Sequence, residues 1–114
     1  MILLYEGLII KIEPVDMTKR SGYIYILSNK VRTVLYIGVT ADLIRRVYNH
    51  RMGEGSTFSC KYKTKYLLYY ETYNSILPAI EREEQLKNWK LELIKKVNPN
   101  LRDIWPEVVG DFRK

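Results

Sequence analysis

The chain has 114 residues, 46% of them hydrophobic and 28% charged, with a formal net charge of +6 and a pI near 9.4, the size and composition of one soluble globular domain with affinity for polyanions. One cysteine and one histidine exclude an internal disulfide and a zinc cage, so a reducing cytoplasmic setting is expected and any metal should be a hard cation on carboxylate and water. Apolar runs such as ILLY and LII fall far short of the roughly 20 residues a membrane crossing requires, and no membrane partner is expected.

The opening segment MILLYEGLIIKIEPVD lacks the basic leader and small-residue cleavage point of a signal peptide. Its ILLYEGLIIKIEP stretch suits an added edge strand or hairpin. Met17 followed by TKRSG would serve as a start, so residues 1–16 are expected to be an extension outside the functional core. That core is placed at 17–106, with 107–114 as a tail.

Residues 22–28 and 34–38 alternate and are rich in Ile, Val and Tyr around Ser28-Asn29-Lys30, which predicts a β-hairpin. Tyr25 and Tyr36 fall on faces that such a hairpin brings together. Thr40 is expected to cap a helix through ADLIRRVYNHRM, closed by Gly53, with Gly53 to Ser56 as a loop. Tyr66–Tyr73 reads as a third strand, apolar enough for the sheet centre. Asn74 or Ser75 should cap a second helix to about Asn88, with Pro78 in its first turn, and a third near Lys90–Val97 should stop at Asn98-Pro99. The tail is expected to pack Leu101, Ile104 and Trp105 on the core. The fold class is therefore α/β (α+β): a small central three-stranded, mainly antiparallel sheet flanked by about three helices.

Polar residues fall where apolar ones belong. From Leu43 on the inward stripe of the first helix, Arg46 lies at roughly −60° and His50 at roughly −20°; from Ile76 on the second, Glu83 lies at roughly −20° and Lys87 at roughly +20°. An ionised carboxylate buried without a partner costs several kcal/mol, so Glu83 requires either an ion pair with Lys87 or Arg46, or a ligand. Basic residues Arg45, Arg46, Arg51, Lys61, Lys63 and Lys65 outnumber Asp42 and Glu54 between positions 40 and 65 and alternate with Tyr48, Phe58 and Tyr62, a pattern suited to a nucleic-acid backbone.

Taken in order, these residues resemble the GIY-YIG nuclease superfamily, and most closely its small standalone bacterial branch (UPF0213-like), over about Gly22 to Trp105. Tyr23-Ile24-Tyr25 stands for the first motif, with Tyr23 in place of its glycine, and Tyr36-Ile37-Gly38 is the second motif unaltered, eleven residues on. Arg46 and His50 match the family's arginine and histidine-or-tyrosine positions. AIEREEQLKNW (79–89) resembles the branch's second-helix signature, which assigns the metal-binding glutamate to Glu83, and Asn98 matches a late asparagine of some members. Val39 departs from the basic residue that several repair members carry after the second motif.

The resemblance implies a metal-dependent endonuclease that hydrolyses phosphodiester bonds in DNA, with RNA as the alternative polymer. It would be structure-directed or weakly sequence-selective and act in repair or recombination. Glu83 would bind Mg²⁺ or Mn²⁺, Arg46 a phosphate oxygen, Tyr36 would be the base with Tyr25 as its positioning partner, and His50 would support the base or relay a proton. Asn98 completes the implied catalytic set, and Arg45, Arg51, Lys61, Lys63 and Lys65 would follow the backbone. Two rivals are a binding module of the same fold without turnover, and a structural domain whose polar cluster is an ion-pair network.

Overall fold

In a computed structural model the described residues are 2–5, 8–12, 22–54, 57–74, 81–82, 85 and 91–112. Five strands, β1 (Ile2–Tyr5), β2 (Leu8–Ile12), β3 (Gly22–Ser28), β4 (Val34–Thr40) and β5 (Tyr66–Tyr73), form one sheet in the order β1-β2-β4-β3-β5. The α+β class holds, but the sheet has two strands more than the sequence suggested. The additional pair is an N-terminal hairpin whose β2 runs parallel to β4, with Ile9 opposite Val34 and Ile12 opposite Ile37.

Antiparallel pairing sets Tyr25 opposite Gly38 and Leu27 opposite Tyr36, so the two tyrosines are diagonal neighbours on one face. Period-2 alternation divides β3 between two cores: Ile24 and Ile26 join Ile10, Ile37, Leu68 and Ile94 on one side, while Tyr25 and Leu27 join Tyr36, Leu43, Val47 and Val108 on the other. With both faces covered, the central strands read as near-continuous apolar runs.

β5 lies at the sheet edge, where the sequence had suggested its centre. Its apolar character has a local cause: Leu67 O accepts from Ile104 N (2.8 Å) and Leu67 N donates to Asp103 Oδ1 (3.1 Å), so the next segment covers that end of the strand. A bulge opposite Ile26 and Leu27 puts Leu68 and Tyr69 on the same side.

Helix α1 (Leu43–Arg51) is capped by Asp42, whose side chain accepts from Arg45 N (3.2 Å). The expected cap, Thr40, instead accepts from Asp42 N (3.1 Å) one step earlier, orienting the capping residue. Gly53 closes the turn with φ +77°, its N–H donating to His50 O. The polar stretch after it contains a short helix the sequence did not announce, α2 (Thr57–Tyr62). Helix α3 (Leu91–Val97) ends at Asn98 as expected, and the tail, for which the sequence suggested packing but no helix, forms a further helix, α4 (Trp105–Phe112). Leu101 and Val108 are buried in the core, with Ile104 and Trp105 packed against it. Of the second predicted helix, Glu81, Arg82 and Gln85 are helical, and Asn74, one of its two expected caps, lies in an exposed bend; Ser75, Pro78, Ile76, Ile80, Glu83 and Lys87 lie outside the described residues. Among the described residues no helix is long and apolar enough to cross a membrane.

Candidate functional site

Strand alternation turns Tyr25 and Tyr36 to the α1 side of the sheet, and helical spacing puts Arg46 and His50, four residues apart, on the α1 face that meets them. The Tyr25 and Tyr36 rings stack with centroids 6.3 Å apart and planes at 22°, and the His50 ring meets the Tyr36 ring edge-on at 4.6 Å. Both tyrosines are 0% exposed and His50 is 2% exposed. Arg46 Nε donates to Tyr25 Oη at 3.3 Å, and His50 Nε2 lies 3.5 Å from the same oxygen.

Behind the imidazole, His50 Nδ1 is 2.6 Å from Ser59 Oγ, which is 2.5 Å from Thr64 Oγ1 and donates to Thr64 O at 3.3 Å. Ser59 and Thr64, both buried, are members of the site that the sequence reading missed. Burial, and secondarily the charge of Arg46, hold His50 down to about 4, so the ring is neutral at physiological pH.

That depression couples to stability with a definite sign. As pH falls through about 6.5 the unfolded chain takes the proton first, while the folded protein takes it only near 4. Stability is therefore unaffected by this group above pH 7 and lost progressively between about 6.5 and 4, by about 3 kcal/mol in all. Urea midpoints at pH 7.5, 6 and 5 for wild type and His50→Gln are expected to diverge at the lower pH values, with wild type falling faster. Parallel curves would remove the buried neutral histidine.

A cavity of ≈ 190 Å³ opens at the start of α1, lined by Thr40, Asp42, Arg45, Arg46 and Asn49. Arg46 thus touches both the cavity and the Tyr25 hydroxyl. Arg45 is exposed beside it, and Lys61 and Lys63 are exposed on and just after α2, with Lys65 half-buried. Arg51 is committed elsewhere: its Nη1 donates to Asp103 Oδ2 (2.7 Å) and Lys65 O (3.0 Å), and its guanidinium lies over the Trp105 ring. It anchors α4 to α1.

Asn98 is not brought to this group. It is 7% exposed, its Nδ2 donating to Leu68 O (2.9 Å) and Arg102 O (2.8 Å) and its Oδ1 accepting from Arg102 N (3.3 Å). Leu68 and Ile94, its neighbours, belong to the core on the far side of the sheet from Tyr25.

A second polar cluster occupies that far side. Glu71 accepts from Tyr69 Oη and Tyr73 Oη, both at 2.5 Å, and from Arg82 Nε at 3.0 Å. Burial pushes the Glu71 carboxyl upward, but the hydrogen bonds from Arg82, Tyr69 and Tyr73 outweigh it, and the net displacement is downward. This clamp ties Arg82 to β5. Glu83 itself lies outside the described residues, and among them no group of three or more His, Cys, Asp or Glu is gathered to hold a metal ion.

Comparison with known proteins gives a consistent result. Residues 21–98 match the GIY-YIG catalytic domain. The chain is similar to the UPF0213 protein SpyM50708 of Streptococcus pyogenes strain Manfredo and the UPF0213 protein MGAS10270_Spy1222 of strain MGAS10270, each 35% identical over 74 residues, or 65% of this chain and 79% of the relative. No solved structure matches. The matched span holds β3, β4, α1 and α3, and with them Tyr25, Tyr36, Arg46 and His50, and this chain belongs to the GIY-YIG catalytic domain family, a family of nucleases.

Proposed function

We propose that the protein is an endonuclease that hydrolyses phosphodiester bonds in DNA with Mg²⁺ or Mn²⁺, structure-directed or weakly sequence-selective, cytoplasmic, and active in repair or recombination. Its catalytic residues lie between positions 17 and 106. The observation that carries this reading is the contact of one phenol oxygen with two groups: Tyr25 Oη meets Arg46 Nε at 3.3 Å and His50 Nε2 at 3.5 Å, and Arg46 reaches on into the cavity.

Hydrolysis by the chain's own residues follows from that arrangement. A phosphate at the cavity is held by the Arg46 guanidinium, which also neutralises charge that builds on the non-bridging oxygens as phosphorus is attacked. A proton of the attacking water passes to the Tyr25 oxygen as that hydroxyl's own proton moves to His50 Nε2, the water oxygen bonds to phosphorus, and the bond from phosphorus to the leaving oxygen breaks. The leaving oxygen is protonated from solvent, to which His50 returns its proton. The contacts support Tyr25 in this role, with Tyr36 stacked against it as the positioning partner, a reversal of the order the sequence suggested.

Magnitude decides what His50 does. Moving a proton from an ordinary phenol to an imidazole held at about 4 is uphill by roughly 8 kcal/mol. At rest His50 is therefore a neutral acceptor that orients the Tyr25 hydroxyl, leaving an oxygen lone pair for water. It carries the proton only in passage and is not a resting store for it.

Nucleases of this family generally use a divalent cation. The ligand that the resemblance implies, Glu83, lies outside the described residues, and those described supply no alternative set, so no step here is routed through the metal. Arg45, Lys61, Lys63 and Lys65 follow the nucleic-acid backbone, while Arg51 and Asn98 support the fold. The full burial of both tyrosines favours, as a second reading, a binding module of the same fold.

Nicking of supercoiled plasmid and of branched DNA with Mg²⁺ or Mn²⁺, beside Glu83→Ala and Tyr25→Phe, separates the two. Cleavage by wild type that is lost in both variants is expected. Salt-sensitive binding by all three proteins with no cleavage by any would establish the module instead.

A further inference from the structure

What stands behind His50 has a definite chemical consequence, which deepens the reading of Tyr25, Arg46 and His50 given above. The imidazole has two different neighbours: Tyr25 Oη at 3.5 Å from Nε2, and Ser59 Oγ at 2.6 Å from Nδ1. A neutral imidazole carries its proton on one nitrogen and a lone pair on the other, and the partner on one side selects what faces the other. The identity of the Ser59–Nδ1 donor therefore determines what Tyr25 meets.

Counting donors and acceptors resolves it. Ser59 has one hydroxyl proton and two lone pairs. Thr64 O, a carbonyl that only accepts, lies 3.3 Å from Ser59 Oγ, and Thr64 Oγ1 lies 2.5 Å from it. With the serine proton on Thr64 O, its lone pairs face Thr64 Oγ1–H and His50 Nδ1–H, which agrees with each of these three contacts. In the opposite arrangement Ser59 donates to Nδ1 and withdraws its proton from Thr64 O. The proton on Nε2 then points at Tyr25 Oη, which already accepts from Arg46 Nε–H, and no acceptor on the ring is left for the Tyr25 hydroxyl. Ser59 is 2% and Thr64 0% exposed, so water does not readily offset such a mismatch.

We propose that Ser59, itself held by Thr64, is a positioning residue that fixes His50 as the Nδ1–H tautomer, so that the Nε2 lone pair faces the Tyr25 hydroxyl. Short α2 thereby acquires a role: it carries Ser59 to the back of the imidazole, and the turn after it, with Lys63 at φ 55°, returns the chain so that Thr64 meets Ser59.

His50 is the only histidine in the chain, so ¹⁵N-labelled protein reports its tautomer without assignment ambiguity. At pH 7.5 the wild-type spectrum is expected to show a protonated Nδ1 and an unprotonated Nε2. Ser59→Ala is expected to shift the ring toward the Nε2–H form, whereas Thr64→Val, which keeps the carbonyl, leaves the Nδ1–H form dominant. In the nicking assay Ser59→Ala should lower kcat by roughly 10- to 100-fold, the usual effect of removing a histidine's orienting partner, with KM little changed, and Ser59→Thr should restore part of it. A wild-type Nε2–H ring, or a Ser59→Ala ring indistinguishable from wild type, overturns the proposal. The spectra read the tautomer whether or not the protein cuts DNA, so absence of nicking would remove the nuclease reading without touching this one.

Discussion

Arg46→Ala is expected to lower plasmid nicking by roughly 10²- to 10³-fold, the scale set by removing one donor aimed at developing charge. Two losses combine. The phosphate at the cavity loses its cation, and Tyr25 Oη loses the Nε–H at 3.3 Å that favours its anionic form. Arg46→Lys should recover little, because an ammonium cannot span a phenol oxygen and a phosphate with a rigid fork of donors. A second readout keeps this prediction from resting on activity alone. The Arg46 charge is one cause of the low His50 value, after burial, so its removal must move His50 upward, measurable by titrating the single imidazole. Nicking within several-fold of wild type would detach Arg46 from the chemistry, and an unmoved His50 would detach it from the cluster.

Asn98→Ala should act on stability and spare turnover. The side chain makes three hydrogen bonds to backbone, at 2.8–3.3 Å, from a position 7% exposed. Truncation leaves Leu68 O and the Arg102 backbone without those partners, at a cost of about 2–3 kcal/mol. For a chain of this size that is a fall in Tm on the order of 10 °C. Nicking per folded molecule, measured well below the transition, should stay within a few-fold of wild type. A variant with unchanged Tm and abolished nicking would return Asn98 to the catalytic set.

The parts legible in sequence share one property: their signal is local. Alternation in β3 and β4, the spacing of Arg46 and His50, and Gly53 at the end of α1 are set within a few residues, and the structure keeps each. The misplaced features depend on contacts distant in sequence. β5 reads as a central strand because Asp103 and Ile104 cover its exposed end. TFSCKY carries little helix propensity, and a side of α2 is defined only where Ser59 meets His50. WPEVVGDF contains both proline and glycine, and its helix depends on Asp103 Oδ1 receiving Trp105 N at 3.0 Å while Arg51 holds the other oxygen. Asn98 entered the catalytic set by its match to a late asparagine of some family members, and a polar residue after a helix gives no hint of which backbone it will bind. Ser59 and Thr64 were invisible for a related reason, since nothing in their neighbourhood mentions an imidazole.

The parallel seam between β2 and β4 carries a consequence for self-association. β4 holds Tyr36, and with Ile9 to Ile12 laid along it from Val34 to Ile37 its amide and carbonyl row is occupied along that stretch. A shortened chain beginning at Met17 would leave that row bare beside Leu35 and Ile37, an apolar template open to strands from other molecules. The opening hairpin thus acts as a built-in guard against self-association through the tyrosine-bearing strand.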